Sequence, residues 1–232
     1  LEKAKKYVLS CQLNEEDGYD KDKHNRAFGG FGYGSSRSPD LSNSTFSIDA
    51  LKALGLPEDS PAFKNAVLFI KRCQDTEEND VAEMQGGDNS GAFTYAPGES
   101  RFGTVKTKRG KEVPKPYGSM TYAAVKSLIY CGIKQDSPEL QAAFRWIKEH
   151  YSVKENPGGV GTQPATSARR QPALYLVEIF EHTAARPVKI GAVLENHIDE
   201  TVTKEGIAPY RLRAGHRHHG GGERIGDLVL DD

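Results

Sequence analysis

The sequence predicts an all-α protein in which antiparallel helical hairpins repeat along the chain and pack side by side. Three observations predict it. The chain matches itself in two registers, apolar residues recur at helical spacing inside the matching segments, and glycine, serine and proline mark the same helix ends in each copy. A single hairpin would not suffice, because isolated helices of about 11 residues are marginal in water and need neighbours to pack against.

The first register relates segments that lie 62 residues apart. AKKYVLSCQ, Ala4–Gln12, lies over AVLFIKRCQ, Ala66–Gln74, and the glycine-aromatic stretch GGFGY at Gly29 lies over GAFTY at Gly91. Glycine permits positive φ and a close backbone approach, so each stretch predicts a tight loop at a hairpin end. The helix before the first loop is the weaker of the two, since Lys5 interrupts its apolar stripe.

The second register relates segments that lie 77 residues apart. Ala50–Ile70 lies over Ser127–Ile147, so the second unit carries a 15-residue insertion between its loop and its next helix. Each unit therefore reads as a helix, a long loop, a helix and a short connection.

The short connections carry clear end signals for the helices on both sides. Gly55 and Gly132 stand where a helix ends in a left-handed residue. Ser60-Pro61 and Ser137-Pro138 supply an N-cap followed by proline at the first helical position. Two helices joined by about five residues must lie nearly antiparallel.

Composition excludes several functional classes. With 31 Lys+Arg against 32 Asp+Glu, the charge is balanced, so we expect no nucleic-acid partner. No apolar run approaches the ~20 residues of a spanning helix, so we expect any membrane contact to be peripheral. Cys11, Cys73 and Cys131 lack metal-site spacing and read as core residues. Because the chain begins inside a helical pattern without methionine, we expect a fragment of unknown localisation and oligomeric state.

These repeats resemble a known family. AVLFIKRCQ followed by GAFTY, together with PYGSMTYAAVKSLIYCGI, is similar to the repeat of squalene and hopene cyclases, protein prenyltransferase β subunits and their bacterial relatives, the prenyltransferase and squalene oxidase repeat proteins. The resemblance covers Leu1–Pro157. Phe31 and Phe93 stand in for the family's tryptophan, and Tyr151 occupies the position where the third unit should carry glutamine.

The resemblance implies an α/α toroid-type fold, here an open arc of about three hairpins. Ser44–Leu54 and Met120–Cys131 would be inner helices, and Ala62–Gln74 and Glu139–Tyr151 would be outer helices. Gln12 and Gln74 would each tie the end of an outer helix to the following loop. We expect the toroid-like repeats to fill 1–157, a divergent helical segment to fill 158–207, and a disordered Gly/Arg/His-rich tail to fill 208–232.

The catalytic motifs that the resemblance would imply do not occur in the sequence. The DxDD acid cluster of the cyclases is missing, and Asp17–His24 reads as a solvated turn. HRHH, His216–His219, reads as part of a flexible tail rather than a metal site. The cationic segment Arg101–Lys115 reads as a solvated insertion, with an anion or headgroup contact as the alternative. We therefore predict no catalytic residues, no metal and no cofactor.

Aromatic residues near the loops that lead into the inner helices are the candidate ligand-binding residues, and packing is the alternative explanation for them. They are Tyr33, Phe46, Tyr95, Tyr117 and Tyr122. We expect a binding scaffold for a hydrophobic small molecule or a protein. The alternative is part of a terpene cyclase or prenyltransferase-type enzyme whose catalytic residues lie elsewhere. A third hypothesis borrows only the toroid fold from the resemblance, and it predicts that the protein binds a polyanionic sugar.

Overall fold

The computed structural model describes residues 1–20, 25–33, 37–152 and 155–159, which form a mostly helical fold. These residues contain five α-helices, one short 3₁₀ turn at Glu15–Asp17 and a small two-stranded hairpin. The helices are α1 Glu2–Leu9, α2 Leu41–Ala53, α3 Pro61–Arg72, α4 Gly118–Tyr130 and α5 Pro138–His150, and the strands are β1 Thr104–Lys106 and β2 Glu112–Pro114. The expected tail, the His216–His219 cluster and nearly all of 158–207 lie outside the described residues. Within the described part, no helix combines the length and apolarity required to cross a bilayer.

The expected helix ends are confirmed at both short connections. Ser60 Oγ accepts a hydrogen bond from the backbone N–H of Phe63 at 3.3 Å, and Ser137 Oγ accepts the equivalent bond from Leu140 at 3.4 Å. Gly55 and Gly132 follow α2 and α4 with φ of 75° and 81°. The sequence therefore encodes these ends locally, through residues that cap the exposed N–H groups or adopt the left-handed conformation.

Helices α2 and α4 pack directly against each other. Helix α3 contacts both of them, while α1 contacts α2 and α5 contacts α4. Every residue of α4 from Gly118 to Leu128 is buried, as expected for a helix with neighbours on all sides. Both central helices begin earlier than predicted. In α2 the reason is Asp40, whose carboxylate accepts a hydrogen bond from Asn43 N at 2.8 Å and caps the helix.

The two glutamines tie each helix end to the following loop as predicted, and each also reaches a helix of the next unit. Gln12 Nε2 donates to Gly29 O at 2.9 Å and to Ala62 O, at the start of α3, at 2.8 Å. Gln74 Nε2 donates to Gly91 O and to the backbone oxygen of Glu139, at the start of α5, both at 2.9 Å. One buried amide thus satisfies carbonyls from two segments, which fixes the loop of one unit to the helix of the following unit.

The repeated glycines explain why the loop recurs in the same form. Gly29 and Gly91 have φ of 82° and 79°. A Cβ atom on Gly29 would lie 1.9 Å from Asn65 O of α3, and one on Gly91 would lie 2.6 Å from the Ala142 backbone of α5. Each loop therefore passes so close to α3 or α5 that no side chain fits at its glycine.

The insertion is the part of the fold where the all-α expectation is wrong. Val105 pairs with Val113 in the antiparallel β1–β2 hairpin, whose turn ends at Gly110 with φ of 82°. The β-branched residues of both strands and the left-handed glycine favour this hairpin. β1 is exposed along its whole length, in agreement with a solvated insertion.

Candidate functional site

A cleft of about 460 Å³ opens beside the two glycine-aromatic loops. Its walls come from the loop that precedes α2, from Phe69 of α3 and from the start of the insertion. The charged and tyrosine side chains that line it are Arg26, Tyr33, Arg37, Asp40, Tyr95, Glu99 and Arg101. It is therefore a mixed surface, with aromatic rings, arginines and carboxylates facing the same space.

Tyr95 and Arg101 form the best-defined pair in the cleft. The Arg101 guanidinium carbon lies 4.0 Å from the centroid of the Tyr95 ring, and Arg101 Nη2 donates to Tyr95 Oη at 2.6 Å. Burial and the nearby Asp40 carboxylate raise the pKa of Tyr95, while Arg101 lowers it by a smaller amount. The phenol is thus held neutral between a carboxylate and a guanidinium.

The backbone around this pair is fixed by the repeat. Leu41, the first residue of α2, donates its N–H to Tyr95 O at 2.8 Å. The equivalent bond of the next unit runs from Gly118 N to Pro157 O at 2.7 Å. Asp40, only 6% exposed, accepts a further bond from Asn43 Nδ2 at 2.7 Å. Tyr95 and Asp40 therefore sit on rigid elements, which is what a binding site requires.

The other two arginines of the cleft are held by carboxylates. Arg26 Nη1 lies 2.9 Å from Glu83 Oε1, and Arg37 Nη1 lies 2.7 Å from Asp17 Oδ1. Arg101 instead directs its guanidinium at a neutral tyrosine. Its positive charge also interacts with Asp40, so an anionic ligand would compete with that carboxylate for Arg101.

The five predicted ligand-binding aromatic residues do not share one site. Tyr33, 74% exposed, and Tyr95 line the cleft. Tyr117 is buried beside it and packs edge-on against Phe102, with ring centroids 4.6 Å apart. Tyr122 is completely buried in the hydrophobic core, and Phe46 is 55% exposed on α2, outside the cleft lining.

Sequence reasoning missed Asp40 and the distinct role of Arg101. The signal for Asp40 was available, since aspartate three residues before Asn43 is an N-cap pattern. Arg101 was grouped with the other cations of the insertion. Only the fold shows that it lies against Tyr95 while the remaining cations follow the hairpin.

The three cysteines are free and buried, so their predicted role as core residues is confirmed. Burial, followed by the charge of Asp40, raises the pKa of the Cys73 thiol, and burial raises the pKa of Cys131 to about 12. Neutral thiols of this kind are poor nucleophiles and metal ligands. Within the described ranges, His, Cys, Asp and Glu side chains form no group of three that could hold a metal ion.

The chain matches no family profile, no curated protein and no solved structure at a significant level.

Proposed function

We propose that this protein is a binding scaffold of the α/α toroid type, built as an open arc of about three helical hairpins of the prenyltransferase and squalene oxidase repeat kind. The repeated hydrogen bonds of Gln12 and Gln74 support the repeat part of the proposal. Each glutamine connects its own loop to the next outer helix at equivalent positions. A unit that attaches in the same way to its successor is the basis of a curved array.

The ligand we propose is a small amphipathic molecule with an apolar or aromatic body and an anionic group. The observation that carries this proposal is the stacked Tyr95–Arg101 pair, which presents an aromatic face and a guanidinium to the same cleft. The exposed ring of Tyr33, which also lines the cleft, offers apolar contact for the body of the ligand. Arginine suits the anionic group because its donors match carboxylate and phosphate oxygens.

Binding rather than catalysis is favoured by the chemistry of the cleft. The Asp40 carboxylate accepts hydrogen bonds from the backbone and the side chain of Asn43, so it serves to cap α2. The alternative, that this chain is part of an isoprenoid cyclase or prenyltransferase, rests on the sequence resemblance alone. The experiment described next distinguishes binding from catalysis.

The experiment is isothermal titration calorimetry of the full chain with farnesyl diphosphate, with farnesol and with inorganic pyrophosphate. We expect the complete amphiphile to bind at least about tenfold more tightly than either half. Arg101→Gln removes a charge-assisted contact and should weaken binding by about 10- to 100-fold. Arg109→Gln is the matched control, since Arg109 lies in the turn of the exposed hairpin, and it should leave affinity unchanged.

Two results would contradict the proposal. If the Arg101→Gln and Arg109→Gln variants bound the ligand with equal affinity, the cleft would not be the binding site. Mass spectrometry of the same samples would show any conversion of farnesyl diphosphate into a new product. Such a conversion would favour an isoprenoid-converting enzyme over a binding scaffold.

A further inference from the structure

The pairing of the two strands in the hairpin fixes which backbone groups of β1 point away from β2. Thr107 N donates to Lys111 O at 2.8 Å, and the pair Val105–Val113 lies two residues away from them on each strand. Hydrogen-bonded pairs alternate along an antiparallel ladder. Val105 therefore directs its N–H and C=O to β2, and its two neighbours in β1 direct theirs to the other side.

These outward groups form an open strand edge. The backbone N–H and C=O of Thr104 and of Lys106 have no hydrogen-bond partner among the described residues, and all three residues of β1 are exposed. The other side of the hairpin differs, because Val113 and Pro114 of β2 are buried and proline has no N–H to donate. The hairpin can therefore accept a further strand along β1.

The surroundings of this edge favour acidic side chains. No described carboxylate forms an ion pair with Lys106 or Lys108. Glu112, the residue opposite Lys106, instead accepts a hydrogen bond from Thr104 Oγ1 at 3.3 Å. Just beyond the strand, the backbone N–H of Lys108 already donates to a carboxylate oxygen, Asp88 Oδ1, at 3.0 Å. Further carboxylates along the same edge would meet uncompensated positive charge.

We propose that β1 binds an extended acidic segment of a partner protein, which adds to the hairpin as an antiparallel third strand. Its backbone would exchange hydrogen bonds with Thr104 and Lys106, and its acidic side chains would lie opposite these two residues. An apolar side chain would lie opposite Val105, on the other face of the strands. In strand addition the backbone provides affinity and alternate side chains provide specificity. The proposal does not depend on the cleft or on its ligand.

An acidic strand fits this edge better than the same edge of a second copy. Antiparallel pairing of two β1 strands would bring Lys106 and Lys108 of the two copies close together. Like charges on neighbouring strands are destabilising, and lysine on an edge strand is a common means of preventing such self-pairing. The same lysines attract a strand of opposite charge.

The test titrates the isotope-labelled full chain with the capped peptide Glu-Val-Glu-Val-Glu and follows the backbone amide signals by NMR. We expect the signals of Thr104 and Lys106 to move most. Lys106→Glu should weaken binding by about tenfold or more, because a cross-strand attraction becomes a repulsion. The matched control is Lys64→Glu, which reverses an exposed charge on α3 and should leave the affinity unchanged.

Two methylated forms of the peptide separate strand addition from simple charge attraction. In the proposed register, the N–H groups of the glutamates face β1 and those of the valines face solvent. Methyl groups on the glutamate nitrogens should therefore weaken binding by about tenfold or more. Methyl groups on the valine nitrogens should leave the affinity nearly unchanged, although the charge of the two peptides is the same.

Three results would overturn the proposal. The first is a titration in which the unmethylated peptide shifts neither the Thr104 nor the Lys106 amide. The second is equal binding of the two methylated peptides, since charge alone would then explain the affinity. The third is a dimer of the free chain in sedimentation analysis that Lys106→Glu changes, since the occupant of the edge would then be a second copy.

Discussion

Gly29 and Gly18 illustrate two different reasons why a loop position requires glycine. Both have nearly the same left-handed backbone, with φ of 82° and 81°. Around Gly18 a Cβ atom would meet nothing within 4 Å, but on Gly29 it would lie 1.9 Å from the backbone oxygen of Asn65. Gly18 is therefore needed for conformation alone, whereas Gly29 is needed for conformation and for the approach of the loop to α3.

We predict that Gly29→Ala lowers the free energy of unfolding much more than Gly18→Ala. The conformational cost of about 1 kcal/mol is common to both substitutions. Gly29→Ala adds an overpacking cost of about 1 to 3 kcal/mol or more, because the obstacle is backbone. Urea denaturation of the two variants measures the difference, and equal losses would show that α3 can move aside.

The same scale explains how far the candidate site could be predicted. Tyr33 and Tyr95 could be found because the repeat aligns them and places aromatic rings next to loop glycines. Phe46 and Tyr122 are also aromatic, but they lie outside the cleft. Which way an aromatic residue on a helix faces depends on how the helix packs, and the sequence pattern does not give that. Arg101 was not predicted, because its contact with Tyr95 depends on the path of the insertion.

At the scale of elements, α2 and α4 are joined by polar contacts inside an otherwise apolar interface. The Lys126 side chain is 3% exposed, and its ammonium lies 2.6 Å from Asp49 Oδ2. It also lies 5.7 Å from the centroid of the Tyr130 ring. A buried lysine is costly unless an acid compensates its charge, so this pair fixes the register of the two helices.

We predict that Asp49→Ala lowers the free energy of unfolding by about 3 kcal/mol or more, because the buried ammonium loses its carboxylate. The double variant Asp49→Ala with Lys126→Met should recover much of this loss. Glu58→Ala is the control, since Glu58 forms a 2.6 Å ion pair with Lys52 from a side chain that is 58% exposed. It should cost no more than about 1 kcal/mol in the same denaturation experiment. A loss in the double variant as large as in Asp49→Ala would contradict this account.

The helices could be predicted from the sequence because their end signals are local. Ser60, Ser137, Gly55 and Gly132 each act within a few residues of their own position. The β-hairpin was missed because its strands have three residues each and lie among lysines, so neither length nor periodicity marks them. The Asp49–Lys126 pair joins residues 77 positions apart, and no local pattern indicates it.

At the scale of the whole molecule, buried tyrosine side chains make the free energy of unfolding depend on pH in the alkaline range. Burial raises the pKa of Tyr122 from 10.0 to about 12. Below pH 10 this phenol is neutral in both folded and unfolded chains. Between pH 10 and 12 the unfolded chain releases the proton first, so the folded state loses stability as pH rises.

We predict that Tyr122→Phe makes the free energy of unfolding less dependent on pH between 10 and 12. A pKa difference of two units corresponds to about 2 to 3 kcal/mol across this range. Denaturation of both proteins at pH 7 and at pH 11.5 measures the effect, and the comparison at pH 7 removes the contribution of packing. Parallel curves for the two proteins would show that Tyr122 does not carry the effect.

The two ends of the segment that carries the β-hairpin are held together by hydrogen bonds. Lys115 N donates to Gly103 O at 2.9 Å, and Ser100 Oγ donates to Lys115 O at 2.6 Å, so the two stems are clamped together below the hairpin. Lys111 Nζ also donates to Ala82 O at 3.0 Å, so we expect the exposed turn at Arg109, rather than the whole segment, to accept a different peptide without displacing α4. A foreign epitope or sensor could consequently be displayed at this turn, in the same insertion that carries Arg101.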